Sequence, residues 1–588
     1  MKSVPLLSFA LLSAAFALGP FSPALAASPL ASADLGSVKP QIDCTALMRT
    51  SLDGVATTAV TIVSASVTDT MVGQFCKVTG TIAPTINFEV HLPLSKWTQR
   101  YLQSGCGGLC GSTSVSFDQA SSCAPALNGE FVVAATDMGT ATKRGEPIGS
   151  FATDPQKRID FAYRSNHETA LVAKALIRTF YGQGPRYSYF TGCSDGGREA
   201  MIEAQRFPDD FDGVSAGAPA MNFQVQNSFY HAWVIAANRR PDGTPILLAD
   251  KLELLHSAVI AHCDKLDGIT DGLLSDPRAC KVETKWIACA KGTRDSKKCL
   301  TPAESQVVRR IYDGPRDAMG KSYLVGGPLP GSELQWDFIP ASANARAMSA
   351  MLGEAMRRYV IFPQSPAHDA LVNNFKFDDK TFAAVSELHS LNDAMDPDLS
   401  SFSQHGGKLI LWHGWSDTSI SPMTSIAYYK AVQQQMGAEQ TDLFLRLFML
   451  PGTGHCGGGD GFAQIDTLTP LMAWAEKGHA PRQLVAGKIP DRDKAPRGGL
   501  PGGDMSGKRV PLSAAAQKES ATRPVYPFPI IPRPIRAGDT TGTSGFAAGH
   551  STAKEPNVVD WHGSSLFAPG FQRNYSVRDG ALFILQNR

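Results

Sequence analysis

A serine stands at the centre of the glycine-rich stretch Gly192-Cys193-Ser194-Asp195-Gly196. The pattern Gly-x-Ser-x-Gly is typical of a nucleophilic serine on a sharp turn between a strand and a helix. Glycines on both sides relieve the backbone crowding that such a turn creates. A chance match is the alternative in a chain with 54 glycines. The strand-like stretch "YSYF" before the serine and the helix-like stretch "GGREAMIEAQ" after it favour the nucleophile.

A serine hydroxyl becomes a strong nucleophile only when a base removes its proton. With this type of turn, the acid and the histidine follow the serine along the chain in that order. Asp417 and His455 follow Ser194 in this order, each just after a buried-type strand, "KLILWHG" and "LRLFMLPGTG". The sequence therefore predicts a Ser194–His455–Asp417 triad that performs acyl transfer.

Three other histidines compete with His455 for the role of base. His413 precedes Asp417 and so breaks the chain order, His167 begins a helix before the serine, and His405 lies in a polar loop. Each is interpreted as a structural or solvated histidine.

The oxyanion that forms during acyl transfer needs backbone donors already aimed at it. The first predicted donor is the N–H of Asp195, because this residue follows the nucleophile directly. The second donor is expected from the glycine-rich loop "QSGCGGLCGS" after the strand "RYLQ". We predict the N–H of Gly107 as this donor, and Gly108 is the adjacent candidate. A plain flexible loop is the alternative for this stretch.

Cysteines stand beside two members of the predicted triad. Cys193 precedes Ser194, and Cys456 follows His455. If the serine and histidine side chains are hydrogen-bonded, the two cysteines come within the distance that a disulfide bond requires. The sequence therefore predicts a Cys193–Cys456 bond that holds the base beside the hydroxyl.

The elements that must position these residues alternate between strand and helix. Residues 85–102, 130–138, 406–417 and 444–455 have strand character, and residues 166–182 form an amphipathic helical pattern ended by glycines. This alternation predicts an α/β fold with a mostly parallel sheet. Residues 223–400 are irregular, residues 486–510 are expected to form a surface loop, and the proline-rich stretch 523–539 is expected to extend over the surface.

The N-terminus has the features of an export signal. Lys2 is followed by an apolar stretch from Leu6 to Leu18 and by the cleavage pattern Ala24-Leu25-Ala26. We expect a signal peptide over residues 1–26, because the apolar stretch is too short to span a bilayer. The mature protein is then exported, either to a periplasm or out of the cell, without a membrane anchor. The net charge of +1 favours no nucleic-acid partner.

Five stretches together resemble the tannase and feruloyl esterase family of serine esterases, which includes mono(2-hydroxyethyl) terephthalate hydrolase. They are "FCKVTGTIAPTINFEVHLP…W", "TGCSDGGREAM", "HCDKLDGITDGLLSDPRAC", "HGWSD" and "GTGHCGGG". The likeness covers roughly residues 40–540. It implies an α/β-hydrolase core with a large lid domain inserted between the catalytic serine and aspartate. The expected organisation is a signal peptide (1–26), the first part of the core (27–222), the lid (223–400), and the second part of the core with a C-terminal tail (401–588).

An acidic stretch within the expected lid suits a metal ion. Asp264, Asp267 and Asp271 lie within eight residues on a loop that contains two glycines, and clustered carboxylates suit calcium. A solvated acidic turn is the alternative from the residues alone. The family resemblance favours a structural Ca²⁺ ion and adds the backbone carbonyls of Ile269 and Leu273 as ligands. No organic cofactor is expected.

Export makes the 11 cysteines disulfide candidates, and the odd number leaves at least one without a partner in the chain. Beside Cys193–Cys456, the expected pairs are Cys263–Cys280, Cys289–Cys299 and Cys44–Cys76. Cys106, Cys110 and Cys123 hold one further pair and one remaining thiol, which the sequence does not assign. Relatives often carry a cysteine in the stretch that reads Arg523-Pro524-Val525-Tyr526-Pro527 here, so that terminal disulfide is absent and the placement of the tail is open.

The triad and the resemblance predict an exported serine carboxylesterase that hydrolyses small esters of aromatic acids: hydroxybenzoic, galloyl or hydroxycinnamic. A mono(2-hydroxyethyl) terephthalate-type hydrolase, another exported hydrolase such as a peptidase or acyltransferase, and a non-catalytic polyphenol- or carbohydrate-binding protein on a hydrolase scaffold are the alternatives. Arg357 and Arg358 are interpreted as solvated rather than substrate-binding. The aromatic residues of the lid are interpreted as core: Trp336, Phe338, Phe362 and Phe375. The oligomeric state is left open.

Overall fold

The computed structural model describes residues 31–113, 115, 120–143, 145–293, 297–488, 521–536, 542–554 and 558–586. The predicted signal peptide and most of the predicted surface loop 486–510 therefore lie outside the described residues. Among the helices within these ranges, none combines the length and the apolar character that crossing a membrane requires.

A nine-stranded sheet forms the centre of the molecule, in the spatial order β1-β2-β3-β5-β4-β6-β7-β8-β9. The first three strands form an antiparallel meander, and the six strands from β5 to β9 are parallel to one another. The predicted mostly parallel sheet is thus present, whereas β1, β2 and β7 were not predicted. The strands are β1 Val60–Thr70, β2 Gly73–Ile82, β3 Ile86–Pro93, β4 Arg100–Ser104, β5 Phe131–Thr136, β6 Tyr187–Cys193, β7 Gly213–Gly217, β8 Lys408–Gly414 and β9 Leu445–Leu450.

The parallel strands are covered on both faces. Every residue of β4, β5 and β7 is buried, which explains why β5 is apolar from Phe131 to Ala135. Seven longer helices are α1 Ser165–Tyr181, α2 Asp195–Arg206, α3 Leu252–Cys263, α4 Pro302–Asp313, α5 Met348–Tyr359, α6 Pro422–Met436 and α7 Leu468–Lys477.

Shorter helical segments fill the connections between these elements. The α-helical ones are Ala124–Leu127, Pro155–Ile159, Phe223–Val225, His231–Ala236, Asp369–Asn373, Asp379–Val385, His389–Asn392, Ser400–Gln404 and Ala438–Asp442, and the π-helical ones are Asp160–Arg164 and Gln226–Tyr230. The 3₁₀ turns are Cys44–Arg49, Ser150–Thr153, Ala249–Lys251, Asp264–Asp267, Pro277–Ala279, Thr284–Ile287, Glu333–Gln335, Thr543–Gly545 and His562–Phe567.

Residues 223–400, called the insert below, lie between β7 and β8 and add no strand to the sheet in their described part. The insert is bonded to the loop that follows β8. The hydroxyl of Tyr230 donates to the carbonyl oxygen of Thr418 at 2.6 Å, and the hydroxyl of Thr418 donates to the carbonyl oxygen of Gln335 at 2.6 Å. These contacts fix the loop that carries Asp417 against the insert.

The chain after β9 forms small sheets against the core. Three strands pair as β10 Gln464–Ile465, β11 Leu484–Lys488 and β12 Ala521–Val525, and two hairpins follow: β13 Ile530–Pro534 with β14 Phe546–His550, and β15 Tyr575–Arg578 with β16 Ala581–Ile584. The prediction that the proline-rich stretch extends over the surface is wrong. Its strands pair, and Arg523, Val525 and Phe528 are buried, because apolar side chains between the prolines pack inward. The predicted loop also begins as a strand, since β11 includes residues 486–488.

The eleven cysteines form five disulfide bonds and leave one thiol. The four predicted bonds are present, and the trio left open contains the bond Cys106–Cys110. The remaining thiol, Cys123, is buried, and burial together with the charge of Asp466 raises its pKa to about 12. Five disulfide bonds fit a chain that folds in an oxidising compartment.

Candidate active site

Ser194 lies on a strained turn between β6 and α2. Its backbone φ is 65°, a value that residues other than glycine rarely adopt. Two backbone hydrogen bonds hold the turn: Ser194 N–H donates to the carbonyl of Gly217 at 3.0 Å, and Ala220 N–H donates to the carbonyl of Ser194 at 3.0 Å. A side chain on Gly192 would bring its Cβ to 2.1 Å from the carbonyl oxygen of Gly196. The turn therefore requires the glycine that the sequence provides there.

The structure brings Ser194, His455 and Asp417 together at the carboxyl ends of the parallel strands. Nε2 of His455 lies 2.8 Å from Oγ of Ser194, and Nδ1 of His455 lies 2.7 Å from Oδ2 of Asp417. Oδ1 of Asp417 accepts the N–H groups of Ser419 and Ile420 at 2.9 Å each. Asp417 thus orients the imidazole of His455 through Nδ1, and Nε2 of the same ring faces the hydroxyl of Ser194.

Charge pairing sets the protonation of this group. Burial by itself raises the pKa of Asp417, but the charge and hydrogen bonds of His455 and His413 outweigh burial and hold this pKa well below its usual range. Burial lowers the pKa of His455, while the charge and hydrogen bond of Asp417 raise it more, so the net pKa lies above its ordinary value. An ionised Asp417 therefore favours the protonated form of the His455 imidazole.

His413 is a contact of the acid that sequence reasoning missed. Its Nε2 lies 3.1 Å from Oδ2 of Asp417 and 3.2 Å from the carbonyl oxygen of Ile420, and its Nδ1 lies 2.8 Å from Oγ of Ser425. Two acceptors at Nε2 require a proton on this nitrogen, which therefore donates toward Asp417 and Ile420. The interpretation of His413 as structural or solvated overlooked this contact. The sequence feature that could have indicated this contact is the short spacing from His413 to Asp417 at the end of a buried strand.

The other two competing histidines lie away from the triad. Nδ1 of His167 is 2.6 Å from a carboxylate oxygen of Asp210, and the ring stacks on Phe207. His405 is exposed and pairs with Asp209. Neither contacts Ser194 or Asp417.

The bond Cys193–Cys456 joins the two loops that carry Ser194 and His455, with 5.9 Å between the Cα atoms. Both cysteines are partly buried. The bond therefore fixes the separation of the two backbone segments that present the hydroxyl and the imidazole.

The glycine-rich loop that holds Gly107 packs on the first turn of α2. A Cβ on Gly196 would lie 3.0 Å from the carbonyl oxygen of Cys106, so a side chain there would press on the backbone of the loop. Within the described ranges, the N–H groups of Asp195 and Gly107 have no hydrogen-bond acceptor. Both predicted donors are therefore available for a ligand. The Asp195 carboxylate instead accepts from Nε of Arg198 at 2.6 Å.

Glu199 contacts the glycine-rich loop through Cys106. Its carboxylate accepts the N–H of Cys106 at 3.3 Å and the amide of Asn166 at 2.7 Å, and it lies 3.0 Å from Sγ of Cys106. Burial first, and then the charge of Asp195, raise the pKa of Glu199 to about 8. Cys106, Cys110 and Glu199 are close enough to form a ligand group. The disulfide bond, however, removes the thiolates that a metal would need.

The loop from Asp264 to Leu273 has the donor chemistry that calcium requires. Asp264 and Asp267 are buried, and no lysine, arginine or histidine pairs with either of them in the part of the chain that the structure covers. Burial raises the pKa of Asp267. Two buried carboxylates without a cationic partner on a loop bent at Gly268 and Gly272 fit a hard cation.

The same carboxylates also bond to the loop itself. Asp264 accepts the N–H of Gly272 at 3.1 Å, and Asp267 accepts the N–H groups of Ile269 at 3.0 Å and Ser275 at 2.8 Å. Oδ2 of Asp271 lies 2.6 Å from the buried guanidinium of Arg523, an ion pair that lacks hydrogen-bond geometry. Here the carboxylate oxygens cap the turn rather than converging on one point.

The remaining residues singled out in the insert have mixed roles. Trp336, Phe338 and Phe362 are buried core, as interpreted from the sequence. Arg358 pairs with Asp369. Arg357 is partly buried and lies over the ring of Phe375 at 5.3 Å, so neither arginine is simply solvated.

A parallel sheet with a serine turn, a histidine and an aspartate at the carboxyl ends of its strands defines an α/β-hydrolase. A profile described as tannase and feruloyl esterase matches residues 69–548. The chain belongs to this family and is a carboxylic ester hydrolase.

Named relatives agree with the family assignment. A probable feruloyl esterase B-1 of Aspergillus fumigatus is 32% identical over 442 residues, covering 71% of this chain and 79% of that protein. The mono(2-hydroxyethyl) terephthalate hydrolase of Piscinibacter sakaiensis is 29% identical over 536 residues, covering 81% and 84%. The crystal structure of feruloyl esterase B from Aspergillus oryzae superposes with a TM-score of 0.69 at 26% identity, covering 86% of this chain and 99% of that one.

Proposed function

We propose that this chain is an exported serine carboxylesterase that hydrolyses esters of aromatic acids (hydroxybenzoic, galloyl or hydroxycinnamic) through an acyl-enzyme. The single observation that carries the proposal is the unbroken hydrogen-bonded series from Ser194 through His455 to Asp417. The feruloyl esterase names of the relatives support the aromatic acid class. The five disulfide bonds support export.

The proposed reaction has two halves. His455 takes the proton of Ser194 while Oγ attacks the ester carbonyl, and Asp417 stabilises the resulting imidazolium. The N–H groups of Asp195 and Gly107 hold the oxyanion. The imidazolium then gives its proton to the departing alcohol, which leaves the acyl group on the serine. Water, deprotonated by the same imidazole, releases the acid and restores the hydroxyl.

The test combines labelling with a substrate panel. Wild-type protein should be labelled by a fluorophosphonate at Ser194 and should hydrolyse methyl gallate, methyl ferulate or chlorogenate. Ser194→Ala should lose both properties, with kcat reduced by about 10⁴-fold or more. Ser51→Ala, at an exposed serine, is the matched control. Activity of Ser194→Ala near the wild-type level would refute the triad.

The same panel separates the alternatives. Preference for a terephthalate monoester would indicate the hydrolase type named for the Piscinibacter relative, and turnover of a peptide or transfer to an alcohol would indicate a peptidase or acyltransferase. Binding of polyphenol without labelling would indicate a non-catalytic protein. The proposal favours aromatic esters without a second carboxylate.

We also propose that the loop of Asp264, Asp267 and Asp271 binds one structural Ca²⁺ ion, with the carbonyls of Ile269 and Leu273. The buried carboxylates without cationic partners support this proposal. The ion would neutralise the negative charge of the loop, and no step of ester hydrolysis depends on it.

A further inference from the structure

Asp337 of the insert lies beside the triad. The carbonyl oxygen of Gln335 accepts two donors, the N–H of Asp337 at 2.8 Å and the hydroxyl of Thr418, the residue after Asp417, at 2.6 Å. A side-chain carbon on Gly454, the residue before His455, would lie 3.2 Å from Oε1 of Gln335. The segment around Asp337 therefore contacts the loops of both the acid and the base.

The carboxylate of Asp337 has an oxygen without a partner. Oδ1 is shielded from solvent and receives no hydrogen bond, although the residue as a whole is partly exposed. Glu333, four residues earlier, shows the usual arrangement: its carboxylate accepts from Tyr312, from the N–H of Gly331 and from His256. A buried acceptor left unpaired is unfavourable by itself, which points to a ligand that satisfies it.

We propose that Asp337 accepts a hydrogen bond from a hydroxyl group of the ester substrate and thereby selects hydroxylated esters. This inference rests on the proposed function and names the group that the site recognises. The hydroxyl is either a phenolic one on the acid or an alcoholic one on the leaving group, because both are neutral donors. A substrate carboxylate is disfavoured at this position, because its negative charge would lie beside the negative charge of Asp337.

The charged and titratable groups around Asp337 and His455 are consistent with an ionised Asp337 that accepts a hydrogen bond. Burial raises the pKa of Asp337 to about 6, the charge of His455 opposes this rise, and the charge of Asp417 adds to it. His231, whose pKa also responds to the charge of His455, is buried with an unpaired Nδ1, and burial followed by the charge of Arg357 lowers its pKa to about 4. At neutral pH Asp337 is therefore the ionised acceptor and His231 is neutral.

The test compares kcat/KM for three matched esters: methyl benzoate, methyl 4-hydroxybenzoate and 2-hydroxyethyl benzoate. The wild-type protein should prefer one of the hydroxylated esters over methyl benzoate by about 10- to 100-fold, the range of a hydrogen bond to a charged group. Asp337→Asn should reduce this ratio and Asp337→Leu should abolish it. Asp313→Asn, at an exposed aspartate that ends α4, is the control and should keep the wild-type ratio. The ester that responds identifies which hydroxyl is bound.

A second readout separates recognition from a structural role. The negative charge of Asp337 raises the pKa of His455. Asp337→Asn should therefore shift the acid limb of the kcat/KM profile for methyl benzoate to lower pH, and it should improve relative turnover of a terephthalate monoester. Fluorophosphonate labelling of Ser194 verifies that each variant is folded.

The outcomes separate the two proposals. If the wild-type protein hydrolyses none of the esters, the proposed function fails. The inference about Asp337 is overturned if the wild-type protein is active but Asp337→Asn keeps the wild-type ratio of kcat/KM between hydroxylated and unhydroxylated esters and the wild-type position of the acid limb. Should Asp337→Leu fail to fold, the asparagine variant alone decides between these outcomes.

Discussion

A disulfide bond joins Cys193 to Cys456, and each cysteine is the chain neighbour of one member of the Ser194–His455 pair. The bond spans a sequence separation of 263 residues, yet it lies one residue from the 2.8 Å contact between the hydroxyl and the imidazole. The cross-link therefore acts on the same geometry that proton transfer requires, because a displacement of about 1 Å at such a contact is costly for catalysis.

Removing this bond should affect both stability and rate. For Cys193→Ser/Cys456→Ser we expect a loss of about 2–5 kcal/mol in unfolding free energy, because the closed loop is long. We also expect kcat to decrease by about tenfold or more while KM changes less, since the bond orients reacting groups rather than binding substrate. Thermal unfolding and steady-state kinetics on an aromatic ester measure the two effects.

The matched control for this prediction is Cys289→Ser/Cys299→Ser, which removes a bond with a separation of 10 residues inside the insert. It should reduce the melting temperature less and keep kcat close to the wild-type value. Equal losses of kcat in the two double variants would show that the Cys193–Cys456 bond has no specific effect on the site.

His413 should affect catalysis chiefly through its contact with Asp417. In His413→Phe the carboxylate loses the donor at 3.1 Å, and we expect kcat to decrease about 10- to 100-fold, the value of one hydrogen bond to a charged group. Ser425→Ala removes only the partner of Nδ1 and should have a smaller effect. A His413→Phe protein with wild-type kcat would contradict a positioning role.

Local sequence was sufficient to predict which residues meet at the serine, because parallel strands deliver their carboxyl ends to one edge of a sheet. Ser194, Asp417 and His455 each follow a strand, and their chain order limits the choices. The same order rule led to the rejection of His413 as the base, although it does not exclude a second histidine that bonds to the acid. Its role depends on the turn of the loop after β8, which spacing alone does not reveal.

The structural features that the sequence did not predict depend on packing between segments that are far apart in the chain. The strand β2 alternates between buried and half-exposed residues over most of its length, whereas β1 has one buried residue, so neither has the continuous apolar character of the predicted strands. The segment around Arg523 is rich in proline, which favours a surface assignment, yet Arg523 is buried beside Asp271 of a distant loop. The unpaired oxygen of Asp337 likewise exists only because the insert folds against the triad.

The loop closed by Cys106–Cys110 should hold the Gly107 donor in place. In Cys106→Ala/Cys110→Ala the loop gains freedom over α2, and we expect kcat to decrease by about tenfold with little change in KM, because the oxyanion forms only in the transition state. Stability should change little, since the cysteines are four residues apart. A pure increase in KM would instead indicate that the loop binds the ground-state substrate.

Calcium should affect stability and leave the chemistry unchanged. We expect the melting temperature to increase by about 2–6 °C in excess Ca²⁺ and to decrease after chelation with EGTA, because an ion that binds only the folded state stabilises it. Fluorophosphonate labelling of Ser194 should be the same in both states. Asp264→Asn/Asp267→Asn should remove the calcium response, whereas Asp313→Asn should keep it; a response that survives the double substitution would place the ion elsewhere.

From the pKa of His455 we expect the enzyme to lose activity in acid. Burial lowers this pKa, but the charge and hydrogen bond of Asp417 raise it more, so the net value lies above the ordinary value of 6.5. The proposed mechanism requires the neutral imidazole, and protonation would therefore remove the base as the pH falls. For an ester that does not ionise, kcat/KM should decrease on the acid side with an apparent pKa above 6.5.

The profile is measured between about pH 5 and pH 9 with methyl benzoate, whose own charge does not change in this range. Enzyme returned from the lowest pH to neutral pH should regain its activity, which distinguishes protonation of His455 from unfolding. A profile that stays flat to pH 5 would show that the base is not a histidine held by an ionised carboxylate. An acid limb well below 6.5 would show that burial, rather than Asp417, dominates the protonation of the imidazole.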